Sequence, residues 1–155
     1  MSVFQGLKVL DVASYIAAPA AATLLADFGA DVVKIEVPEG DGFRKTMLNP
    51  NLNYSEHNYL WMQGARGRRA IALDLKKPEA VEVALALVGR SDVVLQSMRP
   101  GVADRLGIGE AAARRANPQV LYYDLNAFGA GPRGQSMPGY DPLVQAFSGI
   151  MQMTG

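Results

Sequence analysis

The sequence lacks cysteine altogether and contains a single histidine, His57, among its 155 residues. Without thiols it forms neither disulfides nor thiolate-bound metal sites, and one histidine cannot supply a histidine pair or triad. A lone loop histidine is most often solvated, and we interpret His57 in this way. The aspartates Asp41, Asp74, Asp124 and Asp141 show no ligand spacing, so we predict no metal site.

Neither sign of charge dominates, because 15 basic residues balance 15 acidic ones. A protein without net charge has no long-range field to attract nucleic acid or an anionic membrane, so we predict neither partner. No apolar run approaches the ~20 residues of a membrane-spanning helix, and residues 1–8 do not resemble a secretory signal. Together with the absence of cysteine, these features predict a cytoplasmic location.

Short apolar runs alternate with helical patterns along a chain whose length is typical of one domain. We predict strands over residues 7–12, 31–36, 70–75, 92–95 and 120–123. Helices are predicted over residues 20–28, 78–88, 109–115 and 141–151, with a helical turn at 59–62. This alternation predicts an α/β fold with an open, mostly parallel, Rossmann-like sheet that has helices on both faces.

Two further segments bear on domain organisation. Residues 37–67 break every period with prolines, glycines and asparagines, and a loop of this length usually carries function or covers a site. The last residues are apolar and stop at Gly155 without a polar tail. We therefore expect residues 1–155 to be the N-terminal part of a larger domain, because a domain rarely leaves such an apolar end exposed.

Two glycine-containing motifs adjoin predicted strands. Residues 66–69 read Arg-Gly-Arg-Arg, a turn that either binds phosphate through its guanidinium groups or is simply solvated. Residues 129–134 match the pattern G-x-G-x-x-G, but Pro132 lies inside the motif and no helix is predicted to open at Gly134. We interpret this segment as a glycine loop over a site or as a plain surface loop, and we predict no NAD binding.

A series of segments runs through nearly the whole chain in an order and spacing typical of one family. The segments cover residues 7–11 with 17–19, 24–38 with 40–44, 67–76, 92–107 and 140–155; residues 24–38 read LLADFGADVVKIEVP. Together they resemble the N-terminal part of the class III CoA-transferases. That family includes formyl-CoA and carnitine-CoA transferases, and also alpha-methylacyl-CoA racemase.

The resemblance implies that coenzyme A lies across the carboxyl ends of the strands. It also implies a set of residues that contact this ligand. By position these are Arg68 near the phosphates, Arg105 at the nucleotide, Val37 at the adenine, Ser97 and Met98 along the chain, and Ile16, Ala17 and Tyr140 at the thioester end.

Transferases of this family act through an aspartate that attacks the acyl-CoA thioester. An anhydride forms, CoA returns to give an aspartyl-CoA thioester, and a carboxylic acid then takes the CoA. By resemblance this aspartate lies beyond Gly155, so we expect no catalytic residue within residues 1–155. The implied partners are an acyl-CoA, a small carboxylic acid and a second subunit in an interlocked homodimer.

Two alternatives stay open at this point. The racemase branch has a histidine where this sequence has Tyr140, which favours transfer over proton abstraction. A non-catalytic CoA-binding or dimer-scaffold module is the other alternative, because several polar residues of the family pattern are replaced. The replacing residues are Ala65, Ala70, Ser97 and Asn126.

Overall fold

The computed structural model describes residues 2–46, 58–129 and 131–155, so His57 and the centre of the long irregular loop lie outside the described residues. The strands are β1 (Lys8–Asp11), β2 (Asp31–Glu36), β3 (Arg69–Ala72), β4 (Val93–Gln96) and β5 (Leu121–Asp124). The helices are α1 (Ala17–Asp27), α2 (Phe43–Thr46), α3 (Tyr59–Gly64), α4 (Pro78–Val88), α5 (Val102–Arg105), α6 (Glu110–Ala116), α7 (Asp141–Ser148) and α8 (Ile150–Thr154).

The strands form one parallel sheet in the order β3-β2-β1-β4-β5. The chain moves from β1 outward through β2 to β3, and then returns to the other side of β1 for β4 and β5. In open α/β sheets, ligands bind in the crevice at such a reversal, which here lies at the carboxyl ends of β1 and β4. The predicted α/β fold is confirmed.

Two layers of core side chains hold the helices on the sheet. Successive strand residues point to opposite faces, so Leu10 packs under α4 and α6 whereas Val9 packs under α1. Ala84 and Ala113 let α4 and α6 approach the sheet closely, and Ala22 does the same for α1. The helices therefore cover the central strands on both faces, whereas the edge strand β5 keeps Leu121 and Tyr123 exposed.

The predicted helix over residues 141–151 is instead two helices, α7 and α8. Gly149 separates them with φ of 81°, a left-handed conformation that ends an α-helix. Neither helix contains a buried residue, and Leu143, Phe147 and Met153 are exposed apolar side chains. Among the described residues, no helix has the length and apolar character required to cross a bilayer.

Candidate functional site

The loops that follow β1 and β4 meet at the carboxyl edge of the sheet. The Ser14 N–H donates to Ser97 Oγ at 3.2 Å, and the Ser97 hydroxyl donates to the Ser14 carbonyl at 3.4 Å. The Met98 N–H donates to Gln96 Oε1 at 2.7 Å, which fixes the turn after β4. Ser97 and Met98 therefore lie half-buried beside the loop after β1, on the rim of the crevice.

The residues predicted for the thioester end surround this same loop. Ile16 and Ala17 are exposed where the loop enters α1. Tyr140 is exposed just before α7, and its ring meets the ring of Tyr15 edge-on with centroids 6.5 Å apart. The structure thus brings Ile16, Ala17 and Tyr140 to one place, although their contact with a thioester stays a prediction.

The residues predicted for the nucleotide end lie on neighbouring segments. Val37 directly follows β2 and is exposed. Arg105 is the last residue of α5, and its exposed guanidinium makes no hydrogen bond or ion pair within the part of the chain that the structure describes. An exposed cation without a protein partner suits a contact with phosphate.

Arg68 is placed differently from the other predicted contacts, because its side chain is only 2% exposed. Nη1 donates to Asp11 Oδ2 at 2.6 Å and to the Pro19 carbonyl at 3.2 Å, and Nη2 donates to the Gly64 carbonyl at 2.7 Å. A contact with the CoA phosphates stays a prediction.

The other two arginines of the basic turn form surface ion pairs. Arg66 bonds to Asp27 at the end of α1, and Arg69 bonds to Asp31 at the start of β2. Both pairs are substantially exposed, and such pairs contribute little to stability. Within this turn, burial therefore separates Arg68 from its neighbours.

A buried lysine that is not among the predicted CoA contacts lies at the centre of the network. Lys34 is 2% exposed, and its Nζ lies 3.5 Å from Asp11 Oδ2 and 3.2 Å from Asp41 Oδ2. Nζ also donates to the Ala13 carbonyl at 2.6 Å. Asp11 and Lys34 pair across the β1–β2 ladder, so the sheet register brings them together.

The pKa of Asp11 shows how strongly desolvation acts on this network. Burial raises the pKa of the Asp11 carboxyl above 3.8, even though Lys34 and Arg68 both act to lower it. Removing a carboxylate from water therefore outweighs the attraction of two cations. We infer that these charges mainly fix the local geometry, since their contribution to stability is offset by desolvation.

The Glu36–Arg44 segment ties the loop after β2 to the loop after β1. Arg44 donates from Nε and Nη2 to the two carboxylate oxygens of Glu36, each at 2.8 Å. The Asp41 N–H donates to Glu36 Oε2 at 3.0 Å. Asp41 Oδ1 in turn accepts the N–H groups of Tyr15 at 3.1 Å and Phe43 at 2.9 Å. Glu36, Asp41 and Arg44 belong to the motif at residues 24–44, and here they have a structural role.

The Glu36–Arg44 pair predicts a loss of stability in acid. Burial opposes ionisation of Glu36, but hydrogen bonds from Arg44 and Asp41 outweigh it and hold the pKa of Glu36 below 4.5. Ionised Glu36 therefore stabilises the fold above that pH, and this contribution is lost as pH falls through the lower folded-state pKa. We expect Glu36→Gln to flatten the pH dependence of unfolding below about pH 4.5 in urea titrations.

The matched control for Glu36→Gln is Glu39→Gln, which changes an exposed carboxylate in the same loop. The control should retain the wild-type pH dependence. If the free energy of unfolding changes equally with pH in wild-type protein and in Glu36→Gln, ionisation of Glu36 does not stabilise the fold.

Three features of the described residues concern ligands other than CoA: a metal ion, a dinucleotide and any ligand of a separate groove. No group of three or more histidine or acidic side chains among them is arranged to hold a metal ion. Residues 131–137 form turns, and the next helix begins at Asp141 rather than at Gly134. An open groove of about 380 Å³ between α1 and α3 is mostly apolar and shares only Ile16 with the predicted CoA contacts.

Comparison with known proteins gives a consistent result. Residues 4–155 match the family model for CoA-transferase family III. The succinyl-CoA:mesaconate CoA-transferase of Haloarcula hispanica is 36% identical over 160 residues, which cover 100% of this chain and 40% of that protein. The succinyl-CoA–L-malate CoA-transferase beta subunit of Chloroflexus aurantiacus is 32% identical, over 97% of this chain and 36% of its own length.

Solved structures agree in fold as well as in sequence. The crystal structure of a CAIB/BAIF family protein from Brucella suis matches with a TM-score of 0.86 and 34% identity. The match covers 97% of this chain and 40% of that one. The chain therefore spans about two fifths of the length of these relatives.

Proposed function

Because this chain belongs to CoA-transferase family III, we propose that it forms the CoA-binding N-terminal part of a CoA-transferase. The complete enzyme would move CoA from an acyl-CoA thioester to a small carboxylic acid. The observation that carries this proposal is the meeting of the loops after β1 and β4 at the carboxyl edge of the sheet, which brings Ser97 beside Ser14 and Tyr140 against Tyr15.

In the proposed complex the CoA chain passes Ser97 and Met98 on its way to the thioester end. Arg105 supports this placement, since it offers an exposed cation beyond the carboxyl end of β4 for the nucleotide part. Val37 lies beyond the neighbouring β2 and would line the adenine region. Arg68 would reach the phosphates from beneath α1, after giving up part of its contact with Asp11.

Within this proposal, residues 1–155 bind and orient the thioester, and an aspartate beyond Gly155 attacks it. The attack releases the CoA thiolate and forms a mixed anhydride, which the thiolate then cleaves to an aspartyl-CoA thioester and the free donor acid. The acceptor carboxylate attacks this thioester to form a second anhydride and release CoA, and the returning CoA gives the new acyl-CoA and free aspartate. We also propose a cytoplasmic enzyme that acts as an interlocked homodimer. The exposed apolar side chains of α7 and α8, such as Phe147 and Met153, support a subunit that continues over this surface.

Tyr140 bears on the alternatives. A racemase needs a base that removes the α-proton of the acyl group, and a neutral phenol is a poorer general base than the imidazole of histidine. A non-catalytic scaffold would bind CoA at the same crevice without transferring it. Transfer and α-proton exchange therefore distinguish all three functions.

The proposal predicts that the intact protein containing this chain converts succinyl-CoA and a dicarboxylic acid into succinate and the new thioester. Mesaconate and malate are the acceptors to try first, because they name the activities of the two relatives. Calorimetry should show binding of CoA and none of NAD. Residues 1–155 alone should give no turnover, since the expected nucleophile is absent from them.

Separate outcomes contradict separate parts of the proposal. Binding of CoA without transfer would favour the scaffold, and steady deuterium uptake at the α-carbon of a 2-methylacyl-CoA in D₂O would favour the racemase. Turnover by residues 1–155 alone would refute the placement of the nucleophile. A wild-type protein that binds no CoA would overturn the proposal as a whole.

A further inference from the structure

Tyr15, in the loop after β1, has a backbone conformation that bulky residues rarely adopt. Its φ is 64°, and it is the one non-glycine residue with a positive φ in residues 2–46, 58–129 and 131–155. The left-handed region is unfavourable for an aromatic side chain, and such a conformation persists only when its surroundings determine it. Residues of this kind concentrate at ligand sites.

The buried charge network holds this loop on both sides of Ser14. Asp41 Oδ1 accepts the Tyr15 N–H at 3.1 Å, and Lys34 Nζ donates to the Ala13 carbonyl at 2.6 Å. Asp41 is itself fixed by Lys34 at 3.2 Å. The two loops are thereby joined through groups that are nearly inaccessible to water.

The side chain of Tyr15, like its backbone, is held by neighbouring residues. A Cβ atom added to Gly42 would lie 3.0 Å from Tyr15 Oη and 3.1 Å from Cζ, so the phenol packs directly over this glycine. The ring also meets Tyr140 edge-on. Tyr15 nevertheless remains 44% exposed, because it stands at the open carboxyl edge of the sheet.

Building on the proposed function, we propose that Tyr15 contacts the acyl end of the bound thioester. Its phenolic O–H donates a hydrogen bond to a carbonyl or carboxylate oxygen of the acyl group. Asp41 is a positioning residue that acts through Tyr15, because it holds the backbone that aims the ring. The location of Tyr15 supports this assignment. Tyr15 directly precedes Ile16 and Ala17 in the chain and its ring contacts that of Tyr140, and these three residues surround the proposed thioester end.

The test compares two ligands that differ only in the acyl group. For Tyr15→Phe in the intact protein, we expect the dissociation constant of succinyl-CoA to rise about 3- to 10-fold, as for the loss of one neutral hydrogen bond. The dissociation constant of free CoA should change less than about twofold, because the proposed hydrogen bond involves the acyl group. Isothermal titration calorimetry measures both constants.

Gly42→Ala provides a second variant that leaves Tyr15 in place. The added methyl group displaces the Tyr15 phenol, so Gly42→Ala should also weaken the binding of succinyl-CoA more than the binding of free CoA. Gly89→Ala is the control: its methyl group, at the end of α4, meets backbone atoms at ordinary distances of 3.5 Å or more. The control should bind both ligands as the wild-type protein does.

The role of Asp41 is read from the ratio of the two dissociation constants. If Asp41 acts through Tyr15, Asp41→Ala should reduce the preference for succinyl-CoA in the wild-type background and leave it unchanged in the Tyr15→Phe background. If the losses of preference for succinyl-CoA caused by Asp41→Ala and by Tyr15→Phe add up in the double variant, Asp41 does not act through Tyr15. Unchanged binding by Tyr15→Phe, or equal weakening of both ligands, would overturn the contact itself. A wild-type protein that binds neither ligand would instead refute the proposed function on which the contact rests.

Discussion

Replacing Arg68 with methionine is expected to lower the free energy of unfolding by about 3–5 kcal/mol. Methionine retains an apolar stem like that of arginine but lacks the guanidinium group. The Asp11 carboxylate, which is 0% exposed, then has only the Lys34 ammonium as a cation, at 3.5 Å. It also removes one hydrogen bond to each of the Pro19 and Gly64 carbonyls. A buried charge that loses a partner is strongly destabilising because water cannot replace that partner.

The adjacent arginine supplies a matched control for this prediction. Arg69 pairs with Asp31, and their side chains are 70% and 53% exposed. Arg69→Met should therefore change stability by less than about 1 kcal/mol. Urea denaturation followed by circular dichroism measures both variants, and equal small losses would contradict a structural role for Arg68.

The same pair of variants tests the contact of Arg68 with CoA. If Arg68 also reaches the phosphates when CoA is bound, the folded Arg68→Met protein should bind CoA roughly 10- to 100-fold more weakly, as for the loss of a charge-assisted hydrogen bond. Arg69→Met should bind normally. If Arg68→Met is less stable but binds CoA with unchanged affinity, Arg68 contributes to the internal charge network and does not contact CoA.

The sequence predicts the regular elements well where a local signal marks both their type and their ends. α4 begins at Pro78 as predicted, because proline suits the first turn, and its stripe of Val81, Ala84 and Val88 faces the core. β2 has the predicted bounds because its apolar, β-branched run is short and has charged residues at its ends. These signals are local, and local signals can be read without the tertiary structure.

The elements that sequence reasoning misses lack such a signal. α2 and α5 are single turns of four residues, too short to show a helical period. The break between α7 and α8 depends on the conformation of Gly149, and a glycine inside a helical pattern can be either tolerated or a stop. The pattern over residues 141–151 does not decide between these two outcomes.

The candidate site shows the same division. The resemblance implies that CoA lies across the strand ends, and the structure gathers Ser97, Met98, Ile16 and Tyr140 near that edge. The burial of Arg68 could not be read from its basic turn, since its partner Asp11 lies 57 residues away in sequence. Long-range contacts, rather than residue type, separate Arg68 from Arg69.

Lys34 illustrates why the network itself was not predictable. A single lysine in an apolar strand is usually explained by exposure at a strand end, and its neighbours in sequence give no other signal. Only the pairing of β1 with β2 places Asp11 beside it, and only the turn after β2 brings Asp41 back over it. The role of Lys34 follows from sheet register and can be tested directly.

Replacing Lys34 with methionine is expected to lower the free energy of unfolding by about 3–5 kcal/mol near neutral pH and by less in acid. Burial already raises the pKa of Asp11, and Lys34 opposes that shift. Without Lys34 the pKa of Asp11 rises further, so more of the carboxyl is protonated in the folded state at a given acidic pH. Protonation removes the uncompensated charge and with it most of the penalty.

The sign of this pH dependence follows from proton binding. A carboxyl whose pKa is higher in the folded than in the unfolded state loses stability as pH rises between the two values. The deficit of Lys34→Met relative to wild-type protein should therefore be largest at neutral pH and shrink below the raised pKa of Asp11. Urea denaturation at a series of pH values measures this deficit, with the exposed Lys8→Met as control. A deficit that is constant with pH would show that lost packing, rather than an uncompensated Asp11 carboxylate, destabilises the variant.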